Sequence, residues 1–162
     1  MQDDRFFKEL IDNLTEGIYF LDRSRRITYW NRGAERLTGY SAEEVLGRCC
    51  ADGLLQHMDP NGKLLCNDGC PMEATMHDGC ERAAEVFLHH KMGHRVPITV
   101  RATPIHGIAG EIVGAVEVFN DISGQVLAAE RIRELEALSL IDPLTGAGNR
   151  RYSEIQLTSR LA

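Results

Sequence analysis

No stretch of the chain approaches the ~18–20 consecutive apolar residues of a bilayer-spanning helix, so no membrane segment is expected. The opening residues, MQDDRFFKEL, carry acids where a signal peptide carries bases, and no continuous apolar core follows them. Positive charge is also short. Eighteen Lys and Arg stand against 24 Asp and Glu, a formal net charge of −6, which removes a domain-wide basic footprint for nucleic acid. The cysteines number five, an odd count, and no two are spaced as C-x-x-C. A disulfide framework is therefore not expected, and in a reducing compartment these residues are thiols or ligands. No nucleophile–base pair, phosphate-cradling loop or paired carboxylates stand out, so there is no candidate catalytic residue. Together these absences point to a cytoplasmic protein with neither a nucleic-acid nor a membrane partner.

What is present is a globular balance: 162 residues, 43% hydrophobic and 26% charged, the size of one domain plus some extra length. Phe6, Phe7, Leu10, Ile11 and Leu14 step by three and four, the stripe of an amphipathic helix over 3–14 capped by Asp3 or Asp4. Such a helix either lies on its own domain or pairs with a second copy. Two short strands follow, over 17–21 and 26–30, with Asp22-Arg23-Ser24 as the turn. Asn31 is placed to cap a short helix over 34–37, and Ser41 with Glu44 has the spacing of a capping box.

Residues 47–81 are irregular and hold all five cysteines, with one or two helical turns expected at Met72–His77. Three longer strands are expected over 83–91, 95–105 and 112–120, joined by the tight connections Met92-Gly93-His94 and 107–110. From about 125 to 139 the pattern is helical again. Ala128, Ile132, Leu135 and Ser139 form a short heptad-like seam that gains from a partner helix or packs back on its own domain. Asp142-Pro143 stops it.

The order of these elements, with the phrases EGIYFLD at 16–22, ITYWNRGA at 27–34, LTGYSAEEVLG at 37–47, HKMGHRVPI at 90–98 and GEIVGAVEVFNDI at 110–122, resembles the PAS sensor family. The tail resembles the opening of a GGDEF, or diguanylate cyclase, domain in Asp142-Pro143-Leu144-Thr145-Gly146 and Asn149-Arg150-Arg151-Tyr152, with Ala147 where that family more often has leucine. The family's signature and metal-binding acids are absent from the chain. The resemblance implies an α+β PAS fold: a five-stranded antiparallel sheet with short helices on one face, flanked by an N-terminal amphipathic helix and a C-terminal signalling helix. The implied organisation is an N-terminal helix at 1–14, a PAS domain at 15–123, a linker helix at 124–141 and the start of a GGDEF domain at 142–162. A parent protein would make cyclic di-GMP from GTP, while this chain does not.

The implied function is a sensory and dimerisation module that relays a state change to an attached cyclase. The expected assembly is a parallel homodimer through the N-terminal and linker helices. Coupling residues would be Ile132, Leu135, Asp142, Leu144, Thr145, Arg150 and Arg151, with Asp142 pairing with Arg150 or Arg151. The PAS cavity would be lined, on alternation, by Ile18, Phe20, Trp30, Leu46, Val86, Leu88, Ile98, Val100, Ala115 and Val118. A small-molecule ligand there, bound FAD, or haem on His77 are the cofactors the resemblance allows. The cysteine-reactive flavin motif of light-sensing relatives is missing around Cys49 and Cys50.

The cysteine loop from Cys49 to Cys80 leaves three readings open. Cys66 and Cys70 are plain buried thiols at a turn into a helix with Pro71 at its first position. Alternatively, Cys66, Cys70 and His57 hold zinc or an iron–sulfur cluster, or the thiols are a redox switch. A module that dimerises constitutively with no ligand is the rival to all of these.

Overall fold

The computed structural model describes residues 2–66 and 68–139. In chain order the elements are α1 (Gln2–Asp12), β1 (Gly17–Asp22), β2 (Ile27–Trp30), α2 (Arg32–Thr38), α3 (Ala42–Val45), α4 (Pro71–Asp78), β3 (Arg82–His89), β4 (Arg95–His106), β5 (Ile112–Asp121) and α5 (Ser123–Ser139). The strands form one antiparallel sheet in the order β2-β1-β5-β4-β3, so β5, the last strand in sequence, is the middle strand in space. This is the expected α+β architecture.

Local chemistry explains where the elements start and stop. Asp22 Oδ1 accepts from the amides of Ser24 and Arg26 and closes the β1–β2 turn. Asn31 caps α2 by accepting from Ala34 N at 2.8 Å, and the same oxygen accepts from Ile18 N. Its amide nitrogen donates to the carbonyls of Ile11 and Glu16. One fully buried side chain thus ties β1, α2 and the end of α1 together. Gly39 ends α2 with φ 77°, a left-handed conformation that glycine adopts without steric cost. Ser41 N donates to Glu44 in the expected capping box. Pro71 opens α4, where its missing N–H costs nothing.

Cross-strand register sorts the sheet into two faces. Tyr19 pairs with Glu117 and Trp30, Leu21 with Ala115, Val100 with Phe119, and Val86 with Ile98. These residues share the inner face and are buried under Ala34, Val45, Leu54, Leu55 and Met72. Tyr19, Trp30 and Phe119 form an aromatic group at its centre, with ring centroids 5.4–6.4 Å apart. Gly17 lies against this group, and a Cβ there would stand 2.2 Å from the Phe119 ring. On the outer face are Ile18, Phe20, Tyr29, Thr99, Arg101 and Val118. Tyr29 donates to Asp12 there, which anchors the end of α1.

The irregular segment is ordered by the sheet's two edges. Residues 47–50 bond to β2 and the turn before it through Ile27 N to Arg48 O, Gly47 N to Ile27 O and Cys50 N to Arg25 O. Residues 55–58 bond to β3 through Met58 and Phe87, and His89 N to Leu55 O. The segment therefore starts on one edge and reaches the other within a few residues, covering unpaired strand edges that would otherwise invite association.

A second unit begins at Ser123. Within it, α5 carries exposed Val126, Leu127, Ile132 and Leu135. The expected coupling residues Asp142, Leu144, Thr145, Arg150 and Arg151 lie outside the described residues. Among the described residues, no helix is long and apolar enough to cross a membrane.

Candidate functional site

The expected cavity lining divides three ways. Trp30, Val86, Leu88, Ile98, Val100 and Ala115 are buried on the inner face. Ile18, Phe20 and Val118 stand on the outer face, the opposite side from that expected. The cause is the composition of β1: GIYFLD has apolar residues at both parities, so alternation there does not choose a face. Leu46 follows α3 and is 47% exposed, away from the cavity. It lines instead a surface recess of about 310 Å³ with Tyr29, Trp30 and Ala42.

Within the inner face the unexpected residue is Glu117, in the middle of β5 and 1% exposed. His57, on the irregular segment, brings Nε2 to 3.7 Å from Glu117 Oε1. Neither Glu117 oxygen has a hydrogen-bond partner, and neither does His57 Nε2. Burial pushes the Glu117 carboxyl up to about 8, against a smaller opposing effect of the neighbouring Tyr19 hydroxyl. Burial pulls the His57 imidazole down to about 4, and the Arg95 guanidinium adds to that. At neutral pH both groups are therefore uncharged, which is how a fold tolerates two buried ionisable side chains too far apart for a good ion pair. Tyr19, buried beside them, is held well above its ordinary value by burial first and by Glu117 second.

Three of the cysteines, Cys50, Cys66 and Cys70, gather around Arg25. Arg25, with φ 61°, donates to Glu73 at 2.9 Å and to the Cys66 carbonyl. Cys50 and Cys70 are buried, Cys49 and Cys66 half-buried, and Cys80 exposed, all as free thiols. Burial pushes Cys50 up to about 12 and raises Cys66 and Cys70, so these three are protonated and weakly nucleophilic at neutral pH. Among the described residues no group of three or more His, Cys, Asp and Glu side chains is placed to hold a metal ion. Cys66, Cys70 and His57 thus have no shared coordination geometry here. His77 is exposed in the last turn of α4, pointing away from the buried face where a haem would sit.

Sequence reasoning selected His57 for its neighbouring cysteines and missed its buried neighbour Glu117, with Tyr19 beside that carboxyl. A signal existed: Glu117 is the one acid inside the apolar run Val113–Phe119 and has the parity of Ala115 and Phe119.

The second concave region is on the outer face. A groove of about 790 Å³ is lined by Glu16, Ile18, Glu85, Thr99, Arg101 and Val118. It has an apolar floor and a charged rim, and no helix among α2, α3 and α4 covers it.

A family model described as "PAS domain" matches residues 15–124. The signal transduction histidine-protein kinase AtoS of Escherichia coli (strain K12) is 26% identical over 137 residues, 83% of this chain and 21% of that protein. The probable diguanylate cyclase DgcE of the same organism is 28% identical over 147 residues, 91% of this chain and 13% of that protein. The chain thus spans about a fifth of the length of one curated relative and less of the other. The crystal structure of a PAS domain from Colwellia psychrerythraea superposes with a TM-score of 0.63 at 24% identity, over 75% of this chain and 98% of that one.

Proposed function

The chain belongs to the PAS domain family, and from that premise we propose that it is a sensory and dimerisation module regulating a diguanylate cyclase domain attached at its C-terminal end. The observation that carries this reading is the continuity of β5 into α5. β5 is the central strand, holds Glu117 against the buried core, and ends at Asp121, one residue before α5 begins at Ser123. Only Ile122 separates the two elements along the chain, so a change on the inner face that displaces β5 has a short covalent path to α5. The DPLTG and NRRY phrases beyond α5, and similarity to a probable diguanylate cyclase, support a cyclase as the output.

The chain itself binds and relays; the chemistry belongs to the attached domain. Two cyclase domains must each present one GTP to form a symmetric cyclic dinucleotide, so the geometry of a dimer sets the rate through positioning. A ligand on the inner face acts by favouring one dimer geometry over another. Two features support a parallel homodimer: exposed Phe6, Phe7 and Leu10 on α1, with Leu14 just after it, and the Ile132–Leu135 seam on α5.

The test is made in the full-length protein, by inserting residues after Leu135. One heptad, seven residues, preserves the phase of the seam, and four residues rotate it. Cyclic di-GMP synthesis is expected to keep its regulation with seven and lose it with four. Equal behaviour of the two insertions overturns the relay.

A further inference from the structure

The Glu117–His57 pair brings the irregular segment up to the centre of the sheet. Glu117 is on the middle strand of the sheet. His57 belongs to the segment that bonds to β2 at 47–50 and to β3 at 55–58. Their facing atoms are 3.7 Å apart and buried, too far for a hydrogen bond to each other, and the Tyr19 hydroxyl is the other polar neighbour of the carboxyl. Gln56, immediately before His57, adopts φ 43°, an uncommon backbone conformation for a side chain of its size, and its carbonyl accepts from Arg95. Several tertiary contacts thus hold His57 towards Glu117, although the contact they enforce leaves three polar atoms unsatisfied.

We propose that Glu117 and His57 form a proton-operated latch: the 47–64 segment stays closed over the centre of the sheet while the carboxyl keeps its proton, and opens when that proton goes to solvent. Only the carboxyl O–H bond breaks. The Tyr19 hydroxyl is the one donor beside the resulting carboxylate, and burial outweighs what it supplies. Water must reach the carboxylate, and the segment carrying His57 is the part that can move aside. The other ionisable groups facing the pair are Tyr19 from β1, Arg95 from β4, and Cys50, Cys66 and Cys70 from the segment and the start of α4. Arg95 is the one permanent charge among them. It disfavours a protonated His57, so the pair does not rescue itself by passing the proton across.

The direction of the response follows from the two buried groups. The carboxyl holds its proton more tightly closed, at about 8, than open, where its ordinary value is 4.5. Opening therefore becomes easier as pH rises from 4.5 to 8, and no easier above that. The imidazole is the reverse: it titrates at about 4 closed and 6.5 open, so opening becomes harder as pH rises from 4 to 6.5. The two slopes cancel up to about pH 6.5, and above it the carboxyl acts alone.

Hydrogen exchange of the 162-residue chain, followed by mass spectrometry and corrected for the intrinsic pH dependence of exchange, tests the latch. Between about pH 6 and about pH 8.5, opening of the peptides covering 54–66 is expected to rise about twentyfold. Glu117→Gln keeps the shape of the protonated acid and cannot ionise, so its profile is expected to lose the rise and keep only the small fall that His57 gives below about pH 6.5. A flat wild-type profile, or the same rise in E117Q, overturns the proposal. Carbon-13 NMR titration of the wild-type glutamate carboxyls decides the matter without any variant. A Glu117 midpoint near 8 supports the latch, and one near the ordinary 4.5 overturns it. The latch and the relay fail separately, because exchange is read in 54–66 and the relay in cyclase output.

Discussion

The two faces of the sheet are built from the same five strands and differ in what covers them. On the inner face, Tyr19, Leu21, Ile98, Ala102, Ala115 and Phe119 are each no more than 2% exposed. On the outer face, Thr99 and Val118 are half-buried, Arg101 is exposed, and a groove lies open above them. The inner face is where packing is dense enough for a single uncompensated polar group to matter, and it holds one in Glu117. Stability resides on one face and free surface on the other, so substitutions of the same kind should separate the two.

The strongest separation is expected at Phe119, whose ring fills the space between Tyr19, Trp30 and Gly17. Phe119→Ala should cost about 3–5 kcal/mol, most of the stability of a domain this size, read as a fall in the urea midpoint. Asn31→Ala comes next. It strands the buried amides of Ile18 and Ala34 and the carbonyls that Asn31 serves. A loss of about 2–4 kcal/mol is expected from the two orphaned donors. A loss under about 0.5 kcal/mol would mean that water replaces the side chain at an open junction.

Much of this was legible in the sequence, and what was not has identifiable causes. The Asn31 cap, the Ser41–Glu44 capping box, the Pro71 helix start and the five strands are local features, set by side chains that bond to nearby backbone. The facing of β1 was not legible, because Ile18, Tyr19, Phe20 and Leu21 are all apolar and only pairing with β5 chooses between the two parities. The cysteines drew attention to His57, but its partner lies 60 residues away on β5, a separation that no spacing rule spans. Edge coverage by 47–50 and 55–58 was hidden for the same reason: irregular backbone has no period, and its bonds are to strands distant in sequence.

Glu117 sharpens the contrast between the faces because it is the inner-face residue that ought not to be there for stability. Replacing a buried, unpartnered carboxyl with an apolar side chain of similar size removes a desolvation cost. Glu117→Leu is expected to raise stability by about 1–3 kcal/mol near neutral pH. Equilibrium denaturation at several pH values checks both this gain and the loss of the slope between pH 6.5 and 8. A destabilised E117L would instead make the carboxyl a structural hydrogen-bonding group, supported by an internal water.

The finest comparison uses one substitution on both faces. Val100 is 3% exposed on the inner face, and Val118 is half-buried on the outer face. Valine and threonine have nearly the same shape, so Val→Thr changes the chemistry and little else. At Val100 the new hydroxyl is buried in an apolar setting, and Val100→Thr should cost about 1–3 kcal/mol. At Val118 the hydroxyl reaches the open groove and is hydrated, so Val118→Thr should stay within about 0.5 kcal/mol. The difference between the two, measured by urea denaturation at low protein concentration, reports how dry each face is. Repeating it at high concentration asks a second question. If the outer groove is covered in a homodimer, V118T becomes more costly as the chain associates, because its hydroxyl is then buried as well. If the cost at Val118 stays small at every concentration, the groove is open in solution, and the proposed homodimer would have to make its contacts on α1 and α5.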